Sequence, residues 1–69
     1  MNRSSLRIAV FGIGNMGHPV ALRLHQAGHQ VHAWNRTRAK AEPLTALGIA
    51  VHTTAAEAVR GADMVVSLL

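Results

Sequence analysis

The chain has 69 residues, no cysteine, and a formal charge of +4 from seven basic residues against three acidic ones. With 49% apolar and 14% charged residues it is globular material with room for one small unit, which excludes a disordered tail, a disulfide scaffold and a thiolate nucleophile. Its apolar runs are too short to cross a bilayer, and Met1 to Ser5 does not lead into a signal-peptide core, so a cytoplasmic protein without a membrane partner is expected.

Leu6 to Phe11 is short, partly β-branched and almost wholly apolar, the pattern of a strand covered on both faces. It runs into Gly12-Ile13-Gly14-Asn15-Met16-Gly17. Met16, Val20, Leu24 and Ala27 then recur at helical spacing, and Gly28 is placed to stop that helix. Pro19 is compatible with the helix if it lies in the first turn, where an N–H has no intrahelical partner to lose.

Gln30 to Trp34 forms a second strand, with Val31 and Ala33 on one face and His32 and Trp34 on the other. Asn35-Arg36-Thr37 makes the next loop. Ala39 to Leu47 reads as a helix ended by Gly48, although Pro43 is unfavourable within it. Ile49 to His52 is a brief third strand. Thr54-Ala55-Ala56-Glu57 has the spacing of a capping box and predicts a short helix to about Arg60. Met64 to Leu69 is a fourth strand, predicted to be buried, although one face and its outer edge are expected to stay open within residues 1–69. Strand and helix alternate throughout, so the expected fold is α/β, with a parallel sheet in the order 3-2-1-4. Residues 1–69 are expected to form the N-terminal part of a larger dinucleotide-binding domain, with a second half beyond them.

The glycine string carries the chemistry, because strand, glycine turn and helix occur in the order that gives G-x-G-x-x-G its meaning. Gly12 suits a tight turn with positive φ. Gly14, lacking a Cβ, allows a pyrophosphate to approach the backbone, and Gly17 allows close packing of the helix. The unpaired N–H groups of the first helical turn, at the positive end of the helix dipole, favour an anion.

The loop after the second strand selects the dinucleotide. A carboxylate there accepts hydrogen bonds from the adenine ribose and repels a 2′-phosphate, whereas an arginine accepts the phosphate. Asn35 stands about where the acid is expected and is neutral. Arg36, Thr37 and Arg38 follow, and a guanidinium can hold phosphate through two N–H bonds. NADP is the expected cofactor.

Gly12-Ile13-Gly14-Asn15-Met16-Gly17-His18-Pro19, Ala27-Gly28-His29 and Trp34-Asn35-Arg36-Thr37 together resemble the β-hydroxyacid dehydrogenase family from Leu6 to Leu69. That family includes 3-hydroxyisobutyrate dehydrogenase, glyoxylate/succinic semialdehyde reductases and 6-phosphogluconate dehydrogenase, and imine reductases share its amino-terminal pattern. The resemblance implies a Rossmann domain of an NADP-dependent oxidoreductase acting on a small hydroxy acid or carbonyl compound, and a homo-oligomer when full length. It implies that Gly12 to Gly17 cradle the pyrophosphate, that Asn35, Arg36 and Thr37 hold the 2′-phosphate, and that Leu68 and Leu69 run under the cofactor. The family's catalytic lysine and helical second domain lie beyond residue 69. Lys40 does not match that lysine, so no catalytic residue is assigned.

The other candidates are weaker. His25 and His29 have helical metal-ligand spacing, but Gly28 intervenes and no further ligand completes a set. Trp34 suits sheet packing better than an adenine platform. Ser67 has no histidine in a triad relation. The basic residues cluster only at Arg36, Arg38 and Lys40, and just two aromatics are present, so a local anion site fits better than a nucleic-acid groove. An imine reductase and a non-catalytic nucleotide-binding module are the alternatives.

Overall fold

The predicted alternation is present in the computed structural model, which describes residues 5–14 and 16–68. The elements are β1 (Arg7–Phe11), α1 (Gly17–Gln26), β2 (Gln30–Trp34), α2 (Arg38–Ala41), a 3-10 helix (Glu42–Leu47), β3 (Ala50–Val51), α3 (Ala55–Val59) and β4 (Met64–Ser67). All strand pairs are parallel, in the expected order β3-β2-β1-β4. Parallel neighbours cannot be joined by a tight hairpin, so each connection leaves the sheet and carries helix.

The two faces of the sheet are built differently. Ile8 and Val10 of β1, with Val31 and Ala33 of β2, bury against Ala21 of α1, Ala41 of α2, Leu44 of the 3-10 helix and Ile49. This is the main apolar core. Ala9 points the other way, as strand alternation requires. It is fully buried, as is Ala58 of α3, which packs on β1 and β2. Small side chains let that short helix lie close.

Local chemistry sets the element ends. At the end of α1 the Gly28 N–H donates to the His25 carbonyl (3.0 Å) and the His29 N–H to the Leu24 carbonyl (3.2 Å). These are the two bonds of a Schellman stop, which requires the positive φ that Gly28 adopts (97°). At α3 the Thr54 hydroxyl accepts from the Glu57 N–H (3.1 Å), as the capping-box spacing predicts. Pro19 lies at the third residue of α1, within the first turn.

One expectation changes. The helix expected over Ala39–Leu47 is a four-residue α-turn followed by a 3-10 helix. Pro43 has no N–H, and its ring clashes with the carbonyl four residues earlier, so the α-helical ladder cannot continue through it. The apolar composition of the fourth strand suits burial, and within residues 1–69 its Met64 and Val65 are 49% and 48% exposed, in line with the expectation that one face and the outer edge of this strand stay open in these residues. It is an edge strand that pairs with β1 alone. An apolar run encodes a strand, but its cover depends on what packs over it. The entry to β4 is anchored by Asp63, whose N–H donates to the Arg7 carbonyl (2.7 Å) while its carboxylate accepts from the Arg7 N–H (2.9 Å).

A histidine pair lies on the α3 side. His32 Nδ1 and His52 Nε2 are 2.8 Å apart, and the rings stack at 5.0 Å. One ring donates and the other accepts, which is impossible once both are protonated. Burial, then Arg7, then His52 lower the His32 pKa from its ordinary 6.5. The unfolded chain therefore takes up this proton at higher pH than the folded chain. The associated stability is complete above the unfolded value and is lost as pH falls through the lowered folded one. Thermal melts followed by circular dichroism should show a lower midpoint at about pH 5.5 than at about pH 7.5. The decrease should be smaller in His32→Gln; an equal decrease would remove His32 as its source.

Candidate dinucleotide site

Parallel pairing of β1 with β2 brings their carboxyl ends together, with Phe11 opposite Trp34. The loops that leave these ends are therefore neighbours. The Gly12 N–H extends the ladder by donating to the Trp34 carbonyl (3.1 Å), and the Leu68 N–H donates to the Phe11 carbonyl (2.9 Å). Gly12, Asn35 and Leu68 thus meet along one edge of the sheet. Asn15 and Leu69, expected to contact a cofactor, lie outside the described residues.

Each glycine has its own constraint. Gly12 turns the chain with φ 86°. A Cβ on Gly17 would drive into the carbonyl oxygen of Gly12, so α1 starts directly against the turn. A Cβ on Gly14 would meet nothing within 4 Å, and its φ is not in the left-handed region. The protein itself therefore does not demand a glycine at position 14; the demand fits a group from outside approaching the backbone. Ile13 is 1% exposed and anchors the loop in the core.

The start of α1 is left uncapped by its own side chains. Its N-cap residue is Met16, which makes no side-chain cap bond, and its first turn holds no acidic residue. Among the described residues nothing accepts from the Gly14, Met16 or Gly17 N–H. These donors and the positive end of the helix dipole face an approach that Gly14 leaves open. In α3, by contrast, Thr54 caps the start and Glu57 sits in the first turn. The Thr53 hydroxyl donates to the Glu57 carboxylate (2.9 Å) and is the largest cause holding that carboxyl below its ordinary pKa.

In the β2–α2 loop, Asn35 is half-buried, while Arg36 and Thr37 are exposed. Asn35 Oδ1 accepts from the Ile13 N–H (2.9 Å), and Asn35 Nδ2 donates to the Thr37 carbonyl (2.8 Å). Arg38 pairs with Glu42 at 2.7 Å. Arg36 has no ion-pair or hydrogen-bond partner among the described residues. The site combines backbone N–H donors, a glycine approach and a guanidinium on one edge of the sheet. These features are compatible with a dinucleotide.

The remaining candidates have other roles. Trp34 meets Phe11 edge to face at 5.6 Å and donates from Nε1 to the Thr53 carbonyl (3.3 Å), so it packs the sheet. His29 Nδ1 accepts from the Leu6 N–H (3.1 Å). Among the described residues no group of three or more potential ligands could hold a metal, and no helix is long and apolar enough to cross a membrane. Sequence reasoning missed the Asn35 bridge and the His32–His52 pair. The available signal for the bridge was an amide residue following the strand-end position opposite Phe11; for the histidine pair it was one histidine within the second strand and another just after the third.

Fold and site together define a nicotinamide-dinucleotide-binding α/β domain. The chain belongs to the family of the NAD-binding domain of 6-phosphogluconate dehydrogenase, whose family model matches residues 7–69. A 3-hydroxyisobutyrate dehydrogenase from Mycobacterium tuberculosis, solved with L-serine, superposes with a TM-score of 0.89 at 39% identity, covering 96% of this chain and 23% of that one. The NADPH-dependent reductive aminase of Aspergillus oryzae is 37% identical over 94% of this chain and 22% of its own length. The NAD-dependent L-serine dehydrogenase of Pseudomonas aeruginosa is 36% identical over 91% of this chain and 21% of its own length. The chain spans about a fifth of the length of these curated relatives.

The three glycines predict separable phenotypes. Gly17→Ala should destabilise the fold by about 1–3 kcal/mol or more, because its Cβ collides with backbone that cannot yield cheaply. Gly14→Val should leave the melting temperature nearly unchanged and abolish most dinucleotide binding. Melting curves and cofactor titrations on both variants test the assignment. Normal binding by Gly14→Val would leave that glycine with no ligand role.

Proposed function

We propose that this domain binds NADP(H) in preference to NAD(H) and serves, within a longer polypeptide, an oxidoreductase that transfers hydride between NADP(H) and a small hydroxy acid or semialdehyde. The observation that carries the cofactor choice is Arg36, exposed directly after a neutral Asn35 and without an ion partner among the described residues. A carboxylate at the strand end would accept from the ribose hydroxyls and repel a 2′-phosphate. An uncommitted guanidinium beside an amide favours the phosphate instead. Arg38 is less available because Glu42 already holds it. The bound cofactor would supply the hydride. The residues of this chain bind and orient it: the Gly14 side of the loop admits the pyrophosphate, the start of α1 donates N–H groups to it, and Leu68 adjoins it just after β4.

The relatives support the reaction class but differ in detail. One is a 3-hydroxyisobutyrate dehydrogenase and another an NADPH-dependent reductive aminase. Reduction of an imine is therefore the second reading, favoured by the reductive aminase at 37% identity.

Arg36→Ala should weaken NADPH binding by about 10- to 150-fold, corresponding to roughly 1.5–3 kcal/mol for hydrogen bonds to a charged group, and leave NADH nearly unchanged. Fluorescence titration of the full-length protein with each cofactor measures both. Equal losses would remove the phosphate assignment.

A further inference from the structure

The Asn35 side chain spans the two loops of the site. Its orientation follows from chemistry: the Ile13 N–H can only donate and the Thr37 carbonyl, which also accepts from the Lys40 N–H, can only accept, so flipping the amide would break both bonds. Ile13 is buried, and an N–H left unpaired in such a place is costly. The Gly12 N–H is committed to the Trp34 carbonyl, the residue immediately before Asn35. Two successive amides of the glycine turn are thus held by the end of β2, and the N–H groups after them are left free for an anion. The same amide group that secures the turn also holds Thr37, the residue after Arg36.

We propose that Asn35 is a positioning residue: its two amide ends lock the glycine turn to the β2–α2 loop, so that the pyrophosphate cradle and the residues reading the 2′-phosphate act as one unit. This deepens the cofactor reading above and rests on it. It assigns Asn35 a different task from Arg36. Arg36 serves only a cofactor with a 2′-phosphate. The bridge to Ile13 serves any dinucleotide, because the pyrophosphate is common to both cofactors, and the bridge to Thr37 serves the phosphate-bearing one. A carboxylate in place of the amide would still accept from Ile13. It would set oxygen against the Thr37 carbonyl and negative charge beside a 2′-phosphate.

The test uses Asn35→Ala, Asn35→Asp, Arg36→Ala and the Asn35→Ala/Arg36→Ala double variant in the full-length protein. NADPH and NADH affinities are titrated, and the exchange rate of the Ile13 amide is measured by NMR. Asn35→Ala should weaken NADPH and NADH together, by about 3- to 10-fold, and accelerate Ile13 exchange. Asn35→Asp should keep NADH within about twofold and keep Ile13 protected, while NADPH falls further. In the Asn35→Ala background, Arg36→Ala should cost less NADPH affinity than it does alone. Loss of NADPH alone in Asn35→Ala, with NADH and Ile13 exchange unchanged, would make Asn35 a direct phosphate ligand and overturn the proposal. Unchanged affinity for both cofactors would also overturn it. If Asn35→Ala does not fold, the aspartate variant decides: equal losses of both cofactors there refute the bridge. A failure of Arg36→Ala to separate the two cofactors would remove the 2′-phosphate reading, yet the joint loss in Asn35→Ala would still report the bridge to Ile13.

Discussion

Everything at this site depends on the parallel pairing of β1 with β2. Pairing Phe11 with Trp34 ends both strands on one edge of the sheet, so two loops far apart in sequence become neighbours. An antiparallel pair would have put the glycine turn and the Asn35 loop at opposite edges. Parallel pairing also forces the chain to leave the sheet between the strands, and the returning segment is α1. The helix whose free N–H groups face the site is therefore a consequence of the same pairing that creates the site.

The glycine turn shows how one short string meets constraints of different origin. Gly12 answers to backbone conformation and Gly17 to the carbonyl of Gly12. Both are demands of the folded chain, and both would exist without any ligand. Gly14 answers to neither, since the space beside it is open. That distinction separates a turn from a binding loop more sharply than the motif does. The start of α1 makes the same point through its donors: it lacks the capping side chain and the acidic first turn that α3 has. Two helix starts in one small chain are thus finished differently, one by its own side chains and one left without a side-chain cap.

The two faces of the sheet divide the work. One carries the aliphatic core beneath α1 and the 3-10 helix. The other is thinner, with Ala9 and Ala58 allowing α3 to lie close, and it holds the Phe11–Trp34 and His32–His52 pairs. The Phe11–Trp34 pair lies at the carboxyl ends of its strands, next to the loops of the site, while His32 sits in the middle of β2. The hydrogen bond from Trp34 to the Thr53 carbonyl ties β2 to the segment entering α3. Sequence spacing alone labels these residues as one strand face and two scattered histidines.

Much of the architecture was legible from local chemistry. Apolar alternation, the glycine stops at Gly28 and Gly48 and the Thr54–Glu57 capping box are short-range signals, and strand-helix alternation limits the sheet to few arrangements. The sequence by itself determined the α/β class, the strand order, the position of the glycine turn and the neutral-then-basic pattern of Asn35 and Arg36. Tertiary structure alone decided which groups those residues face. Asn35 reaches Ile13 across 22 positions, and His32 meets His52 across 20, because strand register brings them together. It also decided that Pro43 converts the second helix to 3-10 geometry rather than merely shortening its start. Periodicity reports what a segment can form and which face is apolar. Burial, hydrogen-bond partners and the space beside Gly14 depend on residues distant in sequence, and only the folded chain brings those together.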